Sequence, residues 1–503
     1  MTKSRREVLV SGAVVGAGLI AADMSFGNVL AAPSVTPKRI SLQGLTWDDP
    51  VVAAYRNAVS IMQGKPANDP FNWTNYAKIH GLDPNRYHFC PHGNWYFLPW
   101  HRAYVVGLER IVRMLTNNNA FAMPYWDWTA NPTMPDVFLS PKLPDGKPNA
   151  LYVSDPNWRR TWPPKEPMPD DQVGPKVLDE ILHTTPFEAF GTSRPRGQNS
   201  LAQSWITTGT GFQGPLERTP HNNVHNNIGG WMPSALSPMD PIFFMHHSNI
   251  DRIWAVWNFG GNTNSSDPLW ADMTFQNNFV NTNGTPWSPK VSDLYDPETL
   301  GYTYGLGAPL AFTTAVRTVA LDDKFTMLIK NPVNAEGIEI VHAAPPVAAA
   351  SARLETTAQV APAILSKLRL NIGTVHTEVN TTNLLAGEES TAGGTHVFAL
   401  IRDVVASAPT QAEYRVFLNA TNPTAATPAS DPHYVGNFAI FHHGMKMGHP
   451  GMTPSFVFDL TETIRSIGNS DSLKVQIVAV PNRPGVDPGT VTAGSIEIAF
   501  VTP

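Results

Sequence analysis

Between about residue 45 and residue 260, apolar positions recur with the spacing of one helix face. Val51–Met62 is one such stretch, and HRAYVVGLERIVRML, His101–Leu115, is another. Loops rich in Pro, Trp and Asn, such as TWPPKEPMPDDQVGP, separate these predicted helices. From about residue 312 the texture changes. Short β-branched and aromatic runs, KFTMLIK, EYRVFLNAT, LKVQIVAV and GSIEIAFV, alternate with Pro, Gly, Asn and Asp, which predicts the strands of a sandwich-type all-β unit. The Ala/Pro-rich run HAAPPVAAASA, near 343–352, reads as a loop or linker inside that unit. No internal repeat of the solenoid or propeller kind is found. The expected fold class is a mainly α domain followed by an all-β, sandwich-like domain.

A chain of 503 residues is long for one core, and two domains fit the change of texture. Charged residues make up 15% of the chain against roughly 25% in an average soluble protein, while 46 Pro and 37 Gly imply many turns and ordered loops. A net charge of −6 offers no basic stripe, so nucleic acid is excluded as a partner. Cys90 is the single cysteine, which rules out an intramolecular disulfide. At the N-terminus, Lys3, Arg5 and Arg6 precede an apolar Gly- and Ala-rich segment, Val8–Ala22, with small residues at Ala31 and Ala32. Residues 1–32 resemble a twin-arginine-type export signal, so the expected location is periplasmic or extracellular, with no membrane anchor after signal removal. No other segment is long and apolar enough to span a bilayer.

The chemistry-bearing residues are histidines, gathered in two windows of the helical half. In TPHNNVHNNIGGWMPSALSPMDPIFFMHHSNIDRIW, 219–254, His221 and His225 stand one helical turn apart and can grip one ion from one face. His246 and His247 lie on a second predicted helix that Pro241 opens, with Ile242, Met245, Ile253 and Trp257 as its buried face. Neighbouring residues on a helix point about 100° apart, so one of this pair should join the metal, and spacing does not say which. Upstream, NYAKIHGLDPNRYHFCPHGNWYFLPWHRAYVVGLER holds His80, His88, His92 and His101. His92 is too far from His101 for one helical face and must enter from a loop. Each window can give about three neutral imidazoles without a carboxylate, a donor set that suits Cu, Zn, Fe or Ni. A catalytic zinc site commonly adds a carboxylate and a positioned base, and no H-E-x-x-H motif occurs. A lone histidine would be explained as a packing residue in an aromatic core; two clusters are not.

HGNWYFLPWHRAYVVGLER, and PHNNVHNNIGG followed by SPMDPIFFMHHSNIDRIW, resemble the two copper signatures of the tyrosinase and polyphenol oxidase family of type 3 copper proteins. PYWDWT, 124–129, and the pair Tyr302 and Tyr304 also match that family's catalytic core. GNFAIFHHGM, FVFDLTETIRSIG and GSIEIAF look more loosely like the C-terminal domain of its plant-type members. The resemblance implies a dicopper catalytic domain over 33–311, built on a four-helix bundle, and a β domain over 312–503 able to shield the active site.

It also implies two copper ions. The first would be held by His80, His92 and His101, with His88 the rival of His80; the second by His221, His225 and His247, with His246 beside the site. Cys90 would carry a thioether to the ring of His92. Glu217 would hold a water near the centre, Asn222 would orient it to take a phenol's proton, and Ser234 would gate the substrate pocket. The implied reaction takes a small phenolic substrate and O2: o-diphenols become o-quinones, with hydroxylation of monophenols as a step that can precede. Haemocyanin-like O2 binding without turnover, and o-aminophenol oxidation, are the alternatives. The loop HHGMKMGHPGM, 442–452, mixes imidazoles with thioethers; it reads first as a variable surface loop, with a copper-acquisition site as the alternative because soft sulfur suits Cu(I).

Overall fold

The computed structural model describes residues 35–502 except 84–89, 208, 307–318, 331–334, 344–346, 350–352, 360–394, 407–410, 442–452, 469, 471 and 489–490. The export segment expected at 1–32, His88 and the loop 442–452 lie outside the described residues.

Helices in the first half follow the apolar spacing. Pro50 occupies the first turn of α1 (Pro50–Gln63), where its missing N–H costs nothing, and Val52, Tyr55, Val59 and Met62 are buried. α2 (Phe97–Thr116) begins a turn before the predicted stretch because Phe97, Leu98 and Trp100 also find the core. It stops at Asn117, whose φ of 50° makes a left-handed cap. α3 (Asn222–Ile228) continues directly from a wider π-helical turn, Glu217–His221. α4 (Ile242–Phe259) follows Pro241 and buries the four residues expected to form its inner face. α2 packs on both α1 and α4, around a core that includes Trp95, Trp100, Trp126, Trp128 and Trp254. Among the described residues, no helix is long and apolar enough to cross a membrane.

One buried ionic knot ties this unit together. Arg39, ahead of α1, donates to Glu109 of α2 at 2.8 Å and to Asp251 of α4 at 2.9 Å, while Arg102 of α2 donates to the other Asp251 oxygen. The hydroxyls of Tyr302 and Tyr304 donate to Asp251 at 2.7 and 2.6 Å. Burial pushes the Asp251 carboxyl up, but Arg102 and Arg39 outweigh it and hold it below its ordinary value, as a carboxylate.

The second half is a two-sheet sandwich. Counting β1 (Phe212–Gln213) from the helical half, its strands are β2 (Ile338–His342), β3 (Val347–Ala349), β4 (Arg353–Gln359), β5 (His396–Arg402) and β6 (Ala412–Leu418), then β7 (Tyr434–Ala439), β8 (Ser455–Asp459), β9 (Ser472–Pro481) and β10 (Ser495–Val501). One sheet has the order β1-β8-β5-β10-β2 and the other β7-β6-β9-β4-β3. All pairings are antiparallel save that of β1 with β8, through which the helical half adds an edge strand to the β unit. The sheets meet face to face: Phe438 of β7 lies on Phe456 of β8 with ring centres 4.1 Å apart, amid Val397, Val416, Ile477 and Ile498.

Two expectations are corrected. KFTMLIK is not a strand but the last part of α5 (Val319–Lys330). Phe325, Leu328 and Ile329 bury together at helical spacing against the sheet, with Phe325 and Phe398 ring centres 4.7 Å apart, and this packing overrides the local β preference. Inside the Ala/Pro-rich run, Val347–Ala349 forms the edge strand β3 on β4 rather than a loop.

Candidate dinuclear metal site

The fold brings the two histidine windows together. His80 follows a short helix, Trp73–Ala77, His92 enters from the loop before α2, and His101 sits on the second turn of α2. With Cys90 they form a buried set whose ligand atoms all lie within 4.8 Å of one another. His221 at the end of the π turn, His225 on α3, and His246 and His247 on α4 form a second such set. The sets adjoin: the rings of His101 and His247 stack at 4.3 Å, and those of His92 and His221 lie 5.3 Å apart.

Hydrogen bonds turn the rings. His80 Nδ1 donates to Ala235 O at 3.0 Å, His101 Nδ1 to Phe97 O at 2.8 Å, His221 Nδ1 to Asn222 Oδ1 at 2.8 Å and His225 Nδ1 to Met232 O at 2.8 Å. A carbonyl oxygen can only accept, so each of these rings carries its proton on Nδ1 and has an unprotonated Nε2. His225 Nε2 and His247 Nε2 face each other at 3.2 Å, and His221 Nε2 has no hydrogen-bond partner among the described residues. Two nitrogens each about 2.0 Å from one ion would stand at about that separation. His246 differs, because its Nδ1 accepts from the Trp128 indole at 3.2 Å. Burial pulls His80 down to about 4, and burial together with neighbouring imidazoles pulls His221, His246 and His247 well below their ordinary value, so these rings are neutral.

Cys90 lies between two rings, its Sγ 3.0 Å from His80 Nε2 and 3.2 Å from His92 Nδ1, and burial raises its thiol well above the usual range. Both Glu217 oxygens are engaged: Gly93 N–H and the Thr192 hydroxyl donate at 2.6 Å each, and the Gln213 amide at 3.2 Å. Burial nevertheless raises the Glu217 carboxyl to about 8, with the Thr192 and Gly93 hydrogen bonds working against the shift. Asn222 accepts from His221 and donates to Gln213 Oε1 at 3.0 Å and to Ala439 O of β7 at 2.8 Å. Ser234 turns its hydroxyl onto Trp231 O, in the loop whose Met232 and Ala235 carbonyls hold His225 and His80.

Sequence reasoning missed several of these residues. Gln213 joins Glu217 to Asn222 from β1, and Trp128 fixes His246 from the PYWDWT segment. Phe441, just beyond β7, places its ring 4.7 Å from His92 and 4.6 Å from His225, one residue of each set. The PYWDWT match pointed to the segment of Trp128 and the GNFAIFHHGM match to that of Phe441, while no motif marked Gln213.

A helical unit that converges two adjoining sets of buried imidazoles, with Cys90 beside the first, defines a dinuclear metal protein with a histidine-rich donor set. Residues 70–259 match the common central domain of tyrosinase, and residues 367–500 match the chloroplastic polyphenol oxidase C-terminal domain. A tyrosinase of Hahella sp. (strain CCB-MM4) is 30% identical over 312 residues, 54% of this chain and 64% of the relative. A chloroplastic polyphenol oxidase of Vitis vinifera is 26% identical over 483 residues, 90% of this chain and 73% of the relative. The chain thus spans less than two thirds of the Hahella tyrosinase. The latent apple tyrosinase structure shares the fold, with a TM-score of 0.63 at 21% identity over 94% of this chain and 98% of that one. The chain belongs to the tyrosinase and polyphenol oxidase family of type 3 copper oxidases, and the family's two copper ions fit the two histidine sets.

Proposed function

We propose that this protein oxidises o-diphenols to o-quinones with O2, one copper ion being held by His80, His92 and His101 and the other by His221, His225 and His247. The observation that carries the reading is the common orientation of His80, His101, His221 and His225, each with Nδ1–H bound to an oxygen and Nε2 left as a donor. His247 is preferred to His246 because the Trp128 indole N–H claims His246 Nδ1, which keeps the proton of that neutral ring on Nε2. Bound copper supplies the electron transfer between phenol and O2.

The protein's own residues bind, orient and move protons. A phenol with a pKa of about 10 must shed its proton to bind well, and Glu217 with Asn222 positions a water to take it once Ala439 O no longer occupies the Asn222 amide. Ser234, small and on the loop that holds His225 and His80, leaves the edge of the pocket open. The Phe441 ring, set over both histidine sets from the β unit, makes the intact chain latent. Residues 1–32 direct export, which replacing Arg5 and Arg6 by Lys would abolish.

The copper-loaded chain, assayed on 4-methylcatechol and 4-methylphenol before and after limited proteolysis, tests this reading. Quinone is expected from the catechol, faster after cleavage. Reversible O2 uptake without quinone would establish the carrier alternative instead.

A further inference from the structure

One loop orients a ring in each histidine set. Between α3 and α4 the chain turns through residues 229–241, where the Met232 carbonyl accepts from His225 at 2.8 Å and the Ala235 carbonyl from His80 at 3.0 Å. Those two imidazoles belong to different sets. The loop is itself held from outside by residues 155–161, none of which belongs to either set and which open with the short turn Pro156–Trp158. Where the loop leaves α3, Thr161 N–H donates to Ile228 O at 2.7 Å. Gly229 and Gly230 follow with φ of 69° and 59°, and a Cβ would stand 2.0 Å from Thr161 Oγ1 on the first and 2.3 Å from Trp158 O on the second. The left-handed backbone and the close approach both require glycine there. In mid-loop, the indole of Trp231 lies flat on that of Trp158, ring centres 3.8 Å apart and planes 9° from parallel. Where the loop enters α4, Arg160 grips both oxygens of Asp240, at 2.6 and 2.8 Å, and Asp240 Oδ1 accepts from Ile242 N–H at 3.0 Å.

We propose that residues 155–161 are a clamp that positions both metal ions together, with Trp158 as its positioning residue. The inference rests on the proposed two-copper reading. A ring nitrogen is aimed by the partner of its other nitrogen, so a shift of the Met232 and Ala235 carbonyls turns one donor in each set. Trp158 restrains those carbonyls through Trp231, the neighbour of Met232. Inside the loop the Ser234 hydroxyl donates to Trp231 O and the Ser237 hydroxyl to Ser234 O, each at 2.7 Å, which ties the residues between Trp231 and Ser237 into one piece. Loss of the stack should therefore disturb the two ions alike, whereas loss of a ligand histidine disturbs its own ion first.

Positioning and packing can be told apart at this residue. Both indoles are half-buried, and an aromatic stack favours one mutual geometry beyond the area it buries. A phenyl ring at position 158 keeps a flat face against Trp231; a leucine keeps apolar area without the geometry.

The test uses the copper-loaded full chain with Trp158→Leu and Trp158→Phe. Release of copper to a Cu(I) chelator under reductant is followed on the intact chain, and kcat and KM for 4-methylcatechol are measured after the same limited proteolysis. In Trp158→Leu both ions should leave about tenfold faster and kcat should fall about tenfold with KM little changed, the low end of what losing a residue behind a metal ligand costs. Trp158→Phe should recover most of both. Gly230→Ala, whose Cβ must displace the Trp158 carbonyl, opens the clamp from the other side and should show the same pair of losses if Trp158→Leu does not fold. A lowered Tm with unchanged copper release and kcat would give Trp158 a role in stability alone and overturn the proposal. So would faster release of one ion only, or a Phe variant as impaired as the Leu variant. An unaltered chain that holds two copper ions yet releases no quinone refutes the oxidase reading, and copper release, which needs no turnover, still decides on the clamp; a chain that holds fewer than two overturns both.

Discussion

At the scale of single residues, the site depends on where each imidazole keeps its proton. His101 and His225 give Nδ1–H to Phe97 O and Met232 O, which leaves Nε2 unprotonated, as the proposed ligand role requires. His101→Ala or His225→Ala is expected to abolish diphenol oxidation and to lower copper toward one ion per chain, read by metal analysis on protein with unchanged circular dichroism. Cys90 yields a second prediction, since its sulfur touches rings of both His80 and His92. A thioether to His92 would make the copper-loaded chain lighter by two hydrogens, and Cys90→Ser would remove that difference; a bond mapped to His80 by tandem mass spectrometry would correct the partner. The choice within the pair His246 and His247 was not legible from spacing. It turns on one indole N–H supplied from 118 positions away.

At the scale of elements, most helices and strands could be read from periodicity, because burying one face fixes the period. α5 could not be, since KFTMLIK satisfies both patterns and only its packing on Phe398 decides. The contact between the helical turn Asp170–Val173 and β6 is equally invisible in sequence. There Asp171, Glu413 and Arg415 meet, with Gln172 Nε2 donating to Glu413 Oε2 at 2.7 Å and Arg415 within 3.1 Å of Asp171 and 2.7 Å of Glu413. Burial first, and then Asp171 beside it, raises the Glu413 carboxyl to about 7 despite Arg415. Burial raises Asp171 as well. A group whose folded pKa lies above its unfolded value contributes fully at low pH and loses that contribution as pH climbs to the folded pKa. Docking of the β unit should therefore be tighter near pH 5 than near pH 8, seen as slower proteolytic activation at the lower pH, and Glu413→Gln should flatten the difference.

For the whole molecule, the two halves are joined by β1 on β8, by β7 on α3 and by the ring of Phe441 over the site. The helical half has its own keystone in Asp251, which faces Arg39, Arg102, Tyr302 and Tyr304. Asp251→Asn leaves two buried guanidinium groups short of charge, and a loss of about 3–5 kcal/mol in unfolding free energy is expected by chemical denaturation. The sequence by itself determined the helical and β textures, the two histidine windows and the family, since apolar period and motif spacing are local properties of the chain. Which nitrogen faces inward, that Gln213 links Glu217 to Asn222, and that a phenylalanine some 190 positions past the last histidine of the site covers it, were decided only in three dimensions. Those facts are hydrogen bonds and contacts between distant segments, and no local pattern encodes which distant atoms a fold will bring within reach.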